Sequence, residues 1–316
     1  MSLTADQRAA KLAALPLVTA GATSRGFFRG FISTVREIFR HRELLDLLIR
    51  RELKSRYKDS RLGFLWSFVR PLTQLLVYYV VIGQILGGAG RAPQFAIFVF
   101  SGITIWGLYN EIIVAGTSSI IGNAALIKKV YLPREIFPLS VVGSALFNFA
   151  VQFAVLAVAI ILLGQVPWHW EFFYAVGAIA VTVIFALAVA LVLSAVNVFL
   201  RDVRYIVEVA MLLLFWASPI IYPWSNVVDY GAKAHLSWLS EVYLLNPISD
   251  IVLAFQRGMW IAGSHAATVS GQLIPAQPWP PHMALRLLIF GVVGLILLWV
   301  AQRVFARLQG NFAQEI

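Results

Sequence analysis

The 316-residue sequence contains no cysteine, so disulfides, thiolate zinc clusters and a cysteine nucleophile are all excluded. Charge is nearly as scarce. Asp, Glu, Lys and Arg make up 13% of the chain, where soluble domains carry about a quarter. The five histidines, His41, His169, His235, His265 and His282, are scattered without metal-ligand spacing. No Gly-Lys dipeptide occurs, and neither HExxH nor a full GxGxxG is present. The sequence therefore offers no phosphate cradle of the P-loop or dinucleotide type.

What fills the sequence is apolar: 60% hydrophobic residues and a mean hydropathy of +0.80. That is the composition of an integral membrane protein. The net charge of +10 raises the question of nucleic acid, but a nucleic-acid binder is polar overall and spreads its basic residues over a folded surface. Here 13 of the 25 Lys and Arg residues lie between Arg8 and Arg61, ahead of the first long apolar tract. This clustering is a positive-inside signature.

Residues 1–26 read as a flexible cytoplasmic extension. Leu12 to Ala20 has the length of a signal-peptide core, yet cleavage there would send the basic segment across the membrane against the charge rule. Residues 27–61 read as cytoplasmic amphipathic helices. Phe27, Phe28, Phe31, Ile32, Val35, Ile38 and Phe39 recur at helical spacing, with Arg29, Arg36 and Arg40 on other faces. Leu44, Leu45, Leu48, Ile49 and Leu53 repeat the pattern beside a basic run, where attraction to anionic lipid alone supplies roughly 1 kcal/mol per basic residue.

Residues 62–302 form the expected all-α membrane domain, with six spans. They run from Leu62 to Gly87, interrupted at Arg70-Pro71, then Phe95 to Ile121, Ile136 to Gly164, Phe172 to Leu200, Tyr205 to Tyr222 and Ala284 to Gln302. Between the last two, Val242 to Gly263 is semi-apolar but broken by Pro247, Asp250 and Arg257, which predicts an interfacial or re-entrant hairpin. Residues 303–316 are left as a cytoplasmic tail. This topology puts 21 basic residues on one side and four on the other, with both termini cytoplasmic.

Asn123 to Leu139 is a polar island between apolar tracts, carrying Lys128, Lys129, Arg134 and Glu135. Leu126, Ile127, Val130 and Leu132 interleave with its lysines and Pro133 closes it, as in a short amphipathic helix with a hard stop. Such an element can dock on a soluble partner; a plain turn between spans is the other reading. Glu111 and Glu208 fall inside expected spans, where a carboxylate is costly and marks either a polar seam or a transport path. Most aromatics, Trp168, Trp170 and Trp224 among them, read as interface belts. Trp66, Trp106, Tyr109, Phe215 and Trp216 lie deeper or near polar residues, where a ring face can stack on sugar.

Four blocks carry a resemblance: RELKSRYKDSRLGFLWSFVRP from Arg51, ALIKKVYLPREIFPLS from Ala125, FWASPIIYP from Phe215 and NPISDIVLAFQRGMW from Asn246. Together, and in this order, they resemble ABC-2 type permeases that export polysaccharides. The resemblance implies the transmembrane subunit of an ABC exporter in the bacterial inner membrane, moving a lipid-linked glycan such as O-antigen, teichoic acid or galactan. It implies a homodimer served by two ABC ATPase subunits that bind ATP and Mg, with no cofactor in this chain and no nucleic-acid partner. The coupling-helix role then maps onto Asn123, Leu126, Ile127, Lys128, Lys129, Val130, Tyr131, Leu132, Pro133 and Arg134. Arg51, Lys54, Arg56 and Tyr57 match the family's gate helix. Arg56 and Tyr57 are candidates for the pyrophosphate of a polyprenyl-diphosphate carrier, since guanidinium grips phosphate in a fork. Packing against the coupling helix, or pairing with Glu52, is the alternative for them. Trp66, Arg70, Trp106, Tyr109, Glu111, Phe215 and Trp216 become the candidate channel aromatics and polar path.

The extension before Phe27 departs from the simplest family pattern. An excess of Arg over Lys, 19 to 6, points to a GC-rich genome and, through it, to galactan. Two other functions are kept in view. A drug or small-lipid exporter would share the fold, and a membrane-embedded glycan-lipid-processing enzyme would use Glu111, Glu208 or Asp250 and need such acids clustered.

Overall fold

The structure is a computed structural model that describes residues 36, 39–56, 65–85, 94–129, 132–164, 169–236, 238–264, 267–269, 272–274 and 276–315. The helix expected over Phe27 to Phe39 lies largely outside these residues. The second amphipathic run is helix α1, Arg42–Arg56. Its apolar stripe faces inward, with Leu48 buried and Leu44 and Leu45 packed on the same cluster, while Leu47 is exposed.

Helix α2, Trp66–Val77, passes without a break into a π-helical stretch, Tyr78–Ile85. Then come α3, Phe95–Gly122, the single turn α4, Ala124–Ile127, and α5, Ile136–Leu162. Next are α6, Phe172–Phe199, α7, Val203–Trp216, α8, Trp224–Lys233, α9, Leu239–Tyr243, and α10, Pro247–Met259. A two-stranded antiparallel pair, Ala267–Val269 with Gln272–Ile274, which the sequence reading did not anticipate, leads to α11, Met283–Leu308. A 3₁₀ turn, Gln309–Asn311, and the last helical turn α12, Phe312–Glu315, follow.

Among the described residues four helices are long and apolar enough to cross a membrane: Phe95–Gly122, Ile136–Leu162, Phe172–Phe199 and Met283–Asn311. Helices suit lipid because each satisfies its own backbone polar groups. The bundle is organised around α3 and α6. Along α6, Ala178, Thr182, Ala186, Ala190 and Ser194 recur every fourth residue and are all fully buried or nearly so. Small residues at this spacing let backbones approach, which drives helix association in lipid by close packing. A Cβ on Gly116 of α3 would lie 2.7 Å from the Ala190 Cβ, so only glycine fits at the crossing. At the residue after Gly116, the Thr117 carbonyl accepts from Asn197 Nδ2 of α6 at 3.0 Å.

Three expectations are corrected. The span drawn from Tyr205 to Tyr222 is helical only to Trp216. Beyond it Ala217 to Pro223 is irregular, because Pro219 and Pro223 have no N–H to continue a helix. For the segment Val242 to Gly263, expected as an interfacial or re-entrant hairpin, the interfacial alternative falls away: α10 is buried along most of its length, between α3 and α6. Its start is fixed by Asn246, whose side chain accepts from the Ile248 N–H at 3.1 Å, with Pro247 in the first helical position. Trp224 is no belt residue; it is buried, its ring 5.6 Å from that of Tyr243. At the other end of the chain, α11 runs through position 302 to Leu308.

Gln256 holds α10 in place. Its amide nitrogen donates to the carbonyls of Phe98, Pro219 and Ile220 at 3.2–3.4 Å. The irregular segment comes so close that a Cβ on Gly102 would meet the Ile220 oxygen at 2.8 Å. Stranding buried carbonyls costs about 1–3 kcal/mol. Gln256→Leu should therefore lower the melting temperature of the detergent-solubilised protein, and Gly102→Val should do the same by steric exclusion; an unchanged transition for both would show that this contact is not structural.

Asp250, one turn into α10, is 1% exposed, and neither carboxyl oxygen has a hydrogen-bond partner among the described residues. Burial pushes its carboxyl up from the ordinary 3.8 to about 7, with Arg286 pulling it down and Glu241 pushing it up. The folded state thus holds this proton more tightly than the unfolded chain, so stability should fall as pH rises from about 4 to about 7 and level off above. Asp250→Asn should remove that fall. Its melting temperature should gain on the parent across this window, whereas parallel curves would contradict the assignment.

Candidate functional site

A polar chamber of about 640 Å³ lies between α2, α3 and α5. Helix α2 contributes Trp66, Ser67, Arg70 and Pro71; α3 contributes Gly107, Leu108 and Glu111; α5 contributes Asn148, Phe149, Val151 and Gln152. The residues on each helix repeat at three or four positions, so each presents one polar face to the same space. Trp66 and Arg70 are exposed and stand at the open side. Glu111 and Asn148 are joined across the helices, Asn148 Nδ2 donating to Glu111 Oε1 at 2.7 Å. In a medium that cannot hydrogen-bond, such a bond to a carboxyl is short and strong. Gly107 keeps the chamber open beside Gln152, whose Oε1 would lie 3.2 Å from a Cβ there.

The chamber thus gathers Trp66, Arg70 and Glu111 from the expected set and adds Asn148 and Gln152, which sequence reasoning missed. Their signal was present as two amides, four residues apart, in an otherwise apolar span. The other expected aromatics form a separate cluster on the opposite side of α3. The Trp106 ring is 6.0 Å from Tyr109 and 5.7 Å from Phe215, and Phe215 is 5.6 Å from Trp216. Trp106 and Tyr109 are buried, and Trp216 is exposed. A guanidinium, a carboxyl, two amides and an indole face are the groups that hold hydroxyl-rich ligands, by charge-assisted bonds and stacking.

A second cavity differs in chemistry. About 480 Å³ in volume, it is an apolar groove between α6 and α11, lined by Phe173, Gly177, Leu288, Val292 and Leu295 among others.

The polar island is built at one end of the bundle. The helix in it is only one turn, Ala124–Ile127, and does not reach Pro133 as expected. The Lys129 N–H bonds back three residues to Leu126 at 3.1 Å, tightening the end of the turn. Pro133 instead serves the next element, its carbonyl accepting from the Ile136 N–H at 3.2 Å. Ile127 is buried, Leu126, Leu132, Pro133 and Arg134 are half-buried, and Lys128 and Lys129 project outward. Asn123 anchors the turn on both sides, donating to the Ser119 carbonyl at 2.8 Å and accepting from the Arg51 guanidinium. Arg51 thereby links α1 to the island. Lys54 is exposed. Tyr57, Val130, Tyr131 and the Arg56 side chain lie outside the described residues.

The acids of the enzyme alternative are dispersed: Glu111 lines the chamber on α3, Glu208 is exposed on α7 and Asp250 is buried on α10. Among the described residues no three His, Asp or Glu side chains come together.

Residues 43–260 match the family model described as ABC-2 type transporter. The chain is 33% identical over 286 residues to the O-antigen export system permease protein RfbA of Myxococcus xanthus, covering 90% of this chain and 100% of that protein. It is 28% identical over 276 residues to the protein of the same name from Klebsiella pneumoniae, covering 86% of this chain and 94% of the relative. The polysialic acid transport protein KpsM of Escherichia coli is 21% identical over 212 residues, or 66% and 78% of the two chains. With more than half its length matched by the family model, and a relative aligned from end to end, the chain belongs to the ABC-2 type transporter family.

Proposed function

We propose that this chain is the transmembrane permease subunit of an ABC exporter that moves a polysaccharide across the membrane. One observation carries the reading: the alignment spans the whole of an O-antigen export permease. Energy comes from a separate ABC ATPase subunit, consistent with the lack of any P-loop in the sequence. The names of the relatives favour O-antigen or a similar glycan; nothing comparable favours teichoic acid or galactan.

Finer features complete the proposal. Two further spans are supplied by the 20 helical residues of Trp66–Ile85 and by α7 with the segment after it, giving six. Both termini and the island are cytoplasmic, in the bacterial inner membrane, as the basic residues favour. Two copies pair so that their polar chambers flank one path, and two ATPase subunits press on the islands. ATP-driven closure then biases the bundle between two arrangements with different access. The cargo is a polyprenyl-diphosphate-linked glycan. Arg51, Lys54, Arg56 and Tyr57 are its candidate entry residues, and Trp66, Arg70, Glu111, Asn148 and Gln152 hold sugar hydroxyls weakly enough to slide. Trp106, Tyr109, Phe215 and Trp216 stiffen the wall behind them.

Expression with candidate ABC ATPases from its gene neighbourhood should yield a complex whose ATP hydrolysis is stimulated by lipid-linked glycan. Failure to assemble would sink the proposal, and stimulation by small amphiphiles instead would move it to the drug or lipid exporter. Gly107→Leu should fill the chamber and cut export about tenfold or more while the complex still assembles, because the new side chain must displace Gln152. Leu126→Asp with Leu132→Asp should weaken ATPase binding or its coupling to export; normal export in both variants would remove the chamber and the island from the mechanism.

A further inference from the structure

The end of the bundle that carries the island has a hydrophobic core of its own. Leu48 of α1, Ile127 of α4, Phe137 of α5, Val198 of α6 and Phe305 of α11 meet there. The last residue to join is Phe312, and its setting is unusual. Gly310, Asn311, Gln314 and Glu315 around it are exposed, yet Phe312 is 0% exposed. Among the described side chains of the segment after α11, Phe312 is the fully buried one.

Its ring makes three contacts with three different parts of the fold. It stands edge-on to Phe305 at 5.5 Å, near the end of α11, and to Phe199 at 6.1 Å, at the end of α6. The Arg134 guanidinium carbon lies 5.5 Å from its centroid. Arg134 lies in the island two residues before α5 begins. The island is thus tied at its front through Asn123 to Arg51 of α1, and at its back through Arg134 to Phe312.

We infer that Phe312 is a positioning residue for energy coupling: through the Arg134 cation it links the back of the island to α6 and α11. This rests on the reading that the island receives the ATPase. A cation over a ring face is held by the quadrupole of the ring and by contact distance. Displacement of Arg134 therefore either carries the aromatic cluster with it or breaks the contact. In the first case the push reaches α11, which spans the membrane and has no covalent neighbour in the island. Without the contact, the back of the island loses this link to α11.

The experiment uses the assembled complex of this chain with its ATPase, reconstituted in vesicles, and measures glycan exported per ATP hydrolysed. Phe312→Leu keeps an apolar side chain but has no ring face; Arg134→Gln removes the cation and leaves the core intact; Phe312→Tyr retains the ring face. The ratio should fall at least about fivefold in the first two, the low end of coupling between sites. It should stay near the parent value in Phe312→Tyr, and the Phe312→Leu, Arg134→Gln pair should be no worse than either alone. A ratio unchanged in Arg134→Gln, or additive losses in the pair, would overturn the inference while parental export leaves the permease reading standing. If the parent complex exports no glycan, the underlying reading falls and takes this inference with it.

Discussion

The approach of α3 to α6 is the constraint on which the bundle depends. Lipid tails are as apolar as leucine, so helices do not associate there by escaping water; they do so by packing closely and by sharing hydrogen bonds. Gly116 against Ala190 supplies the first and Asn197 to Thr117 the second. With this pair fixed, α10 can be buried against both helices, and Gln256 can satisfy the Pro219 and Ile220 carbonyls that the irregular segment after α7 would otherwise strand, while also reaching the Phe98 carbonyl of α3. The face of α3 turned toward α2 and α5 is then free to carry polar residues.

That face explains why the chamber is where it is. Helix α3 has its aromatic pair, Trp106 and Tyr109, on one side and Gly107 and Glu111 on the other. The first side meets Phe215 edge-on through Trp106 and closes the wall. The second opens onto Asn148, Gln152 and Arg70. Sequence reasoning placed all of these aromatics and acids in one path. The structure divides them by helical phase: positions 106 and 109 share one face, and 107 and 111 share another.

Long spans, the basic end and the island were legible because each is written in contiguous composition. The two amides of the chamber were harder to see, since single polar residues in an apolar helix show their meaning only when a partner such as Glu111 stands opposite. The sequence of α10, broken by Pro247, Asp250 and Arg257, fits an interfacial or a re-entrant segment equally well, and only tertiary packing chooses burial. These residues are accommodated as a helix start, a buried acid and a cation that sits 4.8 Å from the Tyr174 ring and 3.9 Å from Glu171. The island helix proved shorter than its pattern suggested: it ends at Ile127, where the Lys129 N–H closes it with a bond back to Leu126. Phe312 gave no signal at all: it is a lone aromatic in a short polar stretch, and only tertiary contacts reveal its role.

Because the chain has no cysteine, introduced thiols report without background. The most direct test of the central claim places a single cysteine at Gln152 in the chamber and, separately, at Val292 on α11, in the complex with the ATPase. A water-soluble thiol reagent should label the Gln152→Cys chain, and active export of glycan should protect it, while labelling at Val292→Cys should not change with export. If glycan in transit leaves the rate at Gln152→Cys untouched, the polymer does not pass through this chamber and the account is wrong.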